Sequence, residues 1–485
     1  MLFIYDDSVP APHAIRQIIG AQRFGDVIRR KSRLADVIER QVAEAGDIRF
    51  VRITNREDRR LQAQLLDRVH SDEMVVRLPS CFMPLNLGQF TQTLRKLPYA
   101  PSAAIIGDII GDEAVSLLSS DAMAALLMLP GGEDVRRYHQ EIANTGVQLS
   151  STSPFSDLRQ IGLFLSFMIG ATEARHFNAT KVASGIFTKT SIDIAKMEAE
   201  YRFFHVVPER MRRFLLPTFD FHVEEGRASY SMENLLVPDA ALQLVHHSFD
   251  RESFATLLDS FFAFISERER RSVGREAGAA RARFDVLEKL ERRIAQFEQT
   301  EAGASVDMLL ASSTAYRGLR AMVQQAAAVI ASVIADESTD YLAISHGDAC
   351  LSNILFNREI GLFRLIDPRG AIDRDAAFMH PLYDLAKFSH SVLGGYDFIN
   401  NGLFECQLNN DLMLDLKLDN GGPPTWLRQM FIEQLKAGGF NIRAIRAFEL
   451  SLFLSMLPLH SENPRKLPAF CLVADGILKE LDTAP

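Results

Sequence analysis

The chain has 485 residues, 47% hydrophobic and 24% charged, with 28 Gly and 19 Pro, a globular balance that excludes a disordered scaffold, a collagen-like rod and a coiled coil. Its 62 acidic residues outnumber 53 basic ones, giving a net charge of −9 and a pI of about 5.8. The chain as a whole therefore lacks the basic surface that counterion release from nucleic acid demands, although a local basic patch is still allowed.

At about 150 residues per domain, the length predicts two to three domains. Cys81, Cys350, Cys406 and Cys471 lie too far apart for a disulfide framework or a zinc site, and read as reduced thiols of a cytosolic protein. The opening Met1-Leu-Phe-Ile-Tyr-Asp-Asp lacks the basic start and apolar core of a signal peptide. No apolar run approaches the ~20 residues of a membrane span, and 161–171 and 326–335 have the length of buried core helices. The expectation is a soluble, cytoplasmic protein with no membrane span.

From the N-terminus, apolar or β-branched runs at 2–5, 48–53, 74–78, 103–106 and 114–118 alternate with helical spacing at 32–45 and 56–69. This alternation predicts an α/β domain over 1–155 with a mostly parallel sheet, Rossmann-like or nucleotidyltransferase-like in outline and of unknown role. It contains neither G-x-G-x-x-G nor a Walker loop. Asp6 and Asp7 end the first strand, where α/β folds place ligands. With nothing nearby to corroborate a site, they read better as solvated or capping acids.

Residues 144–154, rich in Ser and Thr with a Pro, mark a soft boundary. Beyond it, strands are expected at 175–180 and 185–190, then a helix over 193–204 with Asp193 at its start, and a hairpin of 219–223 with 228–232. From 239 the pattern is mainly helical, through a charged stretch at 267–293 and an alanine-rich helix near 320–335. The run Arg268-Glu-Arg-Arg-Ser-Val-Gly-Arg275 is interleaved with acids and reads as a solvated helical face, not a recognition patch.

The chemistry concentrates in Ile344-Ser-His346-Gly-Asp348-Ala-Cys-Leu-Ser-Asn353-Ile-Leu-Phe, followed by Leu365-Ile-Asp367-Pro-Arg-Gly370. Four residues separate Asp348 from Asn353, which suits a loop whose ends face one cavity. Two β-runs joined by a polar turn near 357–361 form a hairpin that brings Asn353 and Asp367 to the same end. A carboxylate and an amide oxygen converging there make an oxygen site for Mg²⁺, with Asp348 close enough to accept a hydroxyl proton.

This spacing matches the catalytic loop H-x-D-x-x-x-x-N and the metal-binding Asp of kinases, and it resembles the aminoglycoside phosphotransferase and choline kinase families, whose loop reads His-Gly-Asp. The resemblance covers about 162 to the C-terminus and does not touch 1–150. It implies a two-lobed α+β protein-kinase-like domain, with an N-lobe over 156–236 and a mainly helical C-lobe over 237–485. Lys189, ending a β-run, takes the position of the phosphate-binding lysine, with Lys181 and Lys196 as competitors. Glu198 or Glu200 on the next helix would hold it, and Glu200 is preferred because it adjoins the largely apolar Tyr201-Arg-Phe-Phe turn. A Gly-rich phosphate loop is nearly absent, leaving backbone amides near Ser184 and Gly185. Met232 and Glu233 open the stretch that matches the adenine-contacting hinge. Pro381-Leu-Tyr-Asp384-Leu-Ala-Lys resembles the segment whose Asp braces the catalytic loop, and His346 is likewise a bracing residue in the family. Arg175-His-Phe-Asn178 and Ser455-Met-Leu-Pro-Leu-His460 resemble stretches of phosphotransferases found among capsule and surface-polysaccharide genes; His460 itself reads as a core histidine.

The resemblance thus implies an ATP- and Mg²⁺-dependent kinase acting on a hydroxyl, with Asp348 orienting the acceptor, Asn353 and Asp367 holding metal, and Lys189 and Glu200 holding phosphate. The acceptor would be a small molecule of the sugar or amino-alcohol class, a sugar first, bound against 239–335. Acids such as Asp259 and Glu301 are present there for a cationic acceptor, but Trp426 is the only Trp, so an aromatic cage is unsupported. Two alternatives stay open: a pseudokinase serving as a nucleotide-sensing module, and a bifunctional enzyme whose N-terminal domain handles a sugar nucleotide or nucleotidyl transfer. A homo-oligomer or a glycan-assembly complex also stays open.

Overall fold

The computed structural model describes every residue except 30, 69–72, 101, 108, 110, 146, 150–153, 170–177, 315, 338 and 484–485. The chain divides into two units, Met1–Thr172 and Glu173–Pro485, and helix and sheet are mixed in both.

In the first unit, β1 (Leu2–Asp6) is buried at every position, as a strand covered on both faces requires. It is flanked in parallel by β2 (Arg49–Ile53) and β3 (Met74–Pro79). With β4 (Ala104–Ile106), β5 (Ser116–Ser119) and β6 (Val147–Leu149) these form a six-stranded sheet of order β2-β1-β3-β5-β4-β6. Only β5 runs against the rest, so the sheet is mostly parallel without being the all-parallel doubly wound kind. Alternation along β1 sends Leu2 and Ile4 into a cluster with Leu66, Val75, Leu118 and Met123 on one face. On the other face Phe3 and Tyr5 stack on Phe50, at 6.0 and 6.2 Å between ring centres.

The unit continues past residue 155 because Phe155–Asp157 pairs antiparallel with Phe82–Pro84. The helix Ile161–Ile169 then buries Phe164, Leu165 and Phe167. Composition changes at the Ser/Thr-rich stretch, whereas the packing changes only after this helix.

The second unit opens on an antiparallel sheet of β7 (Asn178–Ala183), β8 (Ile186–Ser191), β9 (Thr218–Glu224) and β10 (Arg227–Glu233), in order β7-β8-β10-β9. Residues 175–177, which begin one expected strand and one family-like stretch, lie outside the described residues. The helix Ile194–Val206 starts where the Asp193 side chain accepts the Lys196 N–H at 3.1 Å. It lays Met197 against Ala228, Tyr230 and Met232 of the sheet.

The remainder is mainly helical. Ile442–Ser455 is buried at every position from Ala444 onward, so it is a core helix enclosed by its neighbours. Among the described residues one helix, Leu319–Asp336, is long and apolar enough to cross a membrane. Its Leu319, Met322, Ala326, Ile330 and Val333 are buried, and it packs on the Ile442–Ser455 helix.

The run Arg268–Arg275, within the charged stretch 267–293, is not a solvated helical face. Arg270–Ser272 pairs antiparallel with the strand Tyr341–Ile344, and Arg268 is only 4% exposed. Its guanidinium donates to Ser345 and Asp384 at 3.2 Å and to the Pro381 carbonyl at 2.9 Å, contacts remote in sequence that outweigh the local charge pattern. The rest of the stretch is one helical rod of Arg275–Ala282, a π-helical turn Arg283–Glu288, and Lys289–Phe297.

Candidate active site

Ile354–Asn357 and Leu362–Leu365 pair antiparallel as a hairpin. The Ile366 N–H donates to the Asn353 carbonyl at 3.0 Å, so Asn353 and Asp367 emerge at the same end. Asp367 lies at φ 53°, a left-handed conformation that a non-glycine residue adopts at a cost. The turn after it is pinned against the Ile194–Val206 helix, where the Ala371 N–H donates to the Ala199 carbonyl at 2.9 Å. A Cβ on Gly370 would stand 2.5 Å from the Ala199 carbonyl carbon, so this approach requires glycine.

That docking places Asp367 over the residues the β8 strand and the helix supply. The Lys189 ammonium donates to Glu200 Oε2 at 2.7 Å and to Asp367 Oδ1 at 3.1 Å. Tyr230 Oη donates to the same Glu200 oxygen at 3.1 Å. Burial pushes the lysine pKa down, but the Asp367 and Glu200 charges outweigh it and hold it above its ordinary value. Glu198 instead accepts from Arg202 at 2.7 Å on the exposed side of the helix. Of the competing lysines, Lys181 is exposed and Lys196 stands 3.6 Å from Glu200. Glu200, Phe203, Leu216, Tyr230, Met232 and Asp367 line a small pocket next to this ion pair.

Ser184 and Gly185 form the exposed tip of the β7–β8 hairpin, both at positive φ, and the Gly185 carbonyl accepts the Asn234 N–H at 2.8 Å. Met232 and Glu233 are the last residues of β10, so the stretch expected to contact adenine begins inside the strand; Met232 is buried and Glu233 exposed.

The residues of the His346–Asn353 loop rest on Asp384. The Asp384 carboxylate accepts the N–H groups of His346 and Gly347 at 3.1 and 2.8 Å, besides Arg268. His346 is fully buried, meets Phe203 edge-on, and is pushed toward the neutral form by burial. Gly347 lies at φ 77°, with the place of its missing Cβ only 2.7 Å from Arg369 Cβ. Asp348 Oδ2 accepts from the Asn353 amide at 3.1 Å, and Oδ1 accepts from the Lys387 ammonium at 2.8 Å. Its side chain keeps 40% of its surface open, against 13% for Lys387. Removal from water pushes the Asp348 pKa up, but the Lys387 charge and hydrogen bond bring it down to about 2.

Lys387 was visible in sequence only as the end of the Asp384 segment. The helix Tyr383–Val392 carries Asp384 and Lys387 one turn apart, which sets Lys387 against Asp348.

Asp6 and Asp7 do not sit in water. Asp6 is fully buried against Arg77, which also meets Glu113 at 2.6 Å. Asp7 accepts from Arg52 and from the Gly25 N–H at 3.0 Å. Arginines on the neighbouring strands neutralise both acids, a pairing no local spacing discloses.

For a metal, Asn353 Oδ1 and the second Asp367 oxygen carry no partner among the described residues. Two hard oxygens beside open space fit Mg²⁺, which takes one or two protein oxygens with water and phosphate. No three His, Cys, Asp or Glu side chains converge among the described residues.

No family model and no curated protein matches the chain. Among solved structures it is similar to aminoglycoside phosphotransferase APH(4)-Ia, at 11% identity over 64% of this chain and 93% of that one, with a TM-score of 0.39. A thermostable mutant of that enzyme in its apo form gives 11% identity, 66% and 99% coverage and a TM-score of 0.40. A thermostable variant in ternary complex with AMP-PNP and hygromycin B gives 10% identity, the same coverages and a TM-score of 0.39. At such values, what the second unit can do has to be read from its own side chains.

Proposed function

We propose that the second unit is a phosphotransferase that moves the γ-phosphoryl group of ATP to a hydroxyl of a small acceptor, most simply a sugar or sugar derivative. One observation carries this reading: Lys189 is held between Glu200 and Asp367, while Asp348 and Asn353 are joined at the hairpin end from which Asp367 emerges. A cation for phosphate, two oxygens for metal and an open carboxylate for the acceptor are the parts phosphoryl transfer needs.

Lys189 would bind nucleotide phosphate oxygens, held in place by Glu200. Asn353 and Asp367 would hold Mg²⁺, which when bound neutralises phosphate charge. Asp348 would accept a hydrogen bond from the acceptor hydroxyl and receive its proton as the new P–O bond forms and the bond to ADP breaks. A carboxylate with a pKa of about 2 is a weak base, so its main contribution is orientation, as a loose transition state with late proton transfer requires. Lys387 is a positioning residue that fixes the Asp348 rotamer. A surface-polysaccharide role rests on the sequence resemblance alone.

The test is Mg²⁺-dependent ATP consumption by the full chain over a panel of monosaccharides, amino sugars, choline and aminoglycosides. Turnover with one acceptor, lost in Asp348→Asn, is the expected result. Nucleotide binding without turnover on any acceptor would favour a nucleotide-sensing module, and no nucleotide binding would overturn the reading.

A further inference from the structure

Lys289 has no place in the phosphotransfer machinery above. It begins the helix Lys289–Phe297, immediately after the π-helical turn Arg283–Glu288, and π-turns recur where a helix has been re-registered for function. Its ammonium donates to the Tyr383 hydroxyl at 2.7 Å, and among the described residues no carboxylate pairs with it. A half-buried ammonium facing a neutral phenol is costly unless something anionic completes its surroundings.

The neighbours repeat the same sign. Tyr383 and Lys387 lie one turn apart on one helix face, and Lys387 meets Asp348 at 2.8 Å. Arg369 crosses the catalytic loop, its N–H on the His346 carbonyl at 2.9 Å and its guanidinium 3.8 Å from Asp285. Asp285 is already held by Arg281 at 2.9 Å. Burial raises the Tyr383 pKa, yet the charges of Lys289, Lys387 and Arg369 outweigh it and hold the phenol below its ordinary value. Lys289 thus meets Tyr383 directly, with Lys387 one turn along the same helix and Arg369 hydrogen-bonded to the loop that carries Asp348, while the two carboxylates nearby are already paired.

We propose that Lys289, with Lys387 and Arg369, forms an anion-recognition subsite beside Asp348, and that the acceptor is a hydroxyl compound bearing a phosphate or carboxylate. This rests on the phosphotransferase reading and narrows its acceptor from sugars in general to sugar phosphates or sugar acids. An amino sugar would bring a positive charge into a site that already holds an unpaired one.

The test titrates the full chain, saturated with Mg²⁺ and AMP-PNP, with inorganic phosphate, a hexose phosphate, a hexuronic acid, the neutral hexose and the amino sugar. A charge-assisted hydrogen bond to a half-buried cation makes binding of the anionic probes at least about tenfold tighter than of the neutral or amino sugar. Lys289→Met abolishes that preference without changing AMP-PNP affinity, and Lys289→Arg keeps it. The phosphate and carboxylate arms show which anion is taken. Equal or tighter binding of the neutral or amino sugar, no response to any anion, or a preference that survives Lys289→Met overturns the subsite, as does weakened AMP-PNP binding in that variant. Failure of AMP-PNP to bind the unaltered chain would instead overturn the phosphotransferase reading, and the anion titration on the nucleotide-free protein would still judge Lys289.

Discussion

Two groups of carboxylates in this molecule stand at the ends of strands, and they are built in opposite ways. At the end of β1, Asp6 and Arg77 are both fully buried, and Arg77 spends its charge on Asp6 and Glu113. Around the Ile354–Leu365 hairpin, Asp348 and Asp367 each keep 40% of their side-chain surface open while a lysine holds only one of their oxygens. The first arrangement satisfies its charges internally and leaves nothing for a ligand. The second fixes each carboxylate by one edge with a lysine, adds the Asn353 amide on the other oxygen of Asp348, and still leaves part of each side chain open. A strand-end acid is thus a site when its partner holds it without closing it off.

The sharpest way to break this contrast is Asp348→Asn. It should lower turnover by about 10³-fold, the range general base and orienting groups supply, with nucleotide affinity unchanged, as single-turnover kinetics beside calorimetry would show. Its counterpart in the first unit is Arg77→Met, which strands Asp6 and Glu113. Breaking a buried pair costs about 3–5 kcal/mol, so a thermal transition should fall while nucleotide affinity of the second unit stays intact. Loss of nucleotide binding in that variant would blur the distinction drawn here.

Lys387→Met probes the edge-holding directly. Turnover should fall about 10–100-fold through loss of a charge-assisted hydrogen bond. The Asp348 pKa, held at about 2 chiefly by Lys387 against burial, should rise. The acid limb of the pH–rate profile would then move upward, and Lys387→Arg should restore part of both. A rate loss with an unmoved acid limb would mean that Lys387 only packs.

A third kind of carboxylate sharpens the comparison further. Asp397 is fully buried without a cation, and burial first, with the Asp239 charge adding, lifts its pKa to about 7. An unfolded Asp titrates near 3.9, so the folded chain holds this proton while the unfolded chain releases it. The stability it contributes is present below about pH 4 and is lost as pH rises through about 7. Asp397→Asn should therefore gain stability over the parent by about 4 kcal/mol between pH 4 and pH 8, read from denaturant melts.

Much of the fold and of the site was legible locally. Apolar or β-branched runs gave β1, β2 and β3 within a residue or two, and β1 and β3 are buried along nearly their whole length. The hairpin followed from turn residues between β-runs, and with it the convergence of Asn353 and Asp367. Glu200 was separable from Glu198 by its apolar neighbours, because a buried carboxylate needs a buried helix face. What escaped was long-range pairing. Arg268 with Asp384, Arg77 with Asp6 and Lys289 with Tyr383 lie far apart along the chain, and charge runs do not disclose which member turns inward. The end of the first unit escaped likewise, because a strand pairing set it and composition did not.

The most direct test follows the γ-phosphoryl group itself, by phosphorus NMR of the full chain with Mg²⁺, ATP and the acceptor that best stimulates ATP loss. The account predicts one phosphomonoester on the acceptor for each ADP formed, and neither in Asp348→Asn. ADP with inorganic phosphate alone, or a transfer that Asp348→Asn leaves unaltered, would contradict it.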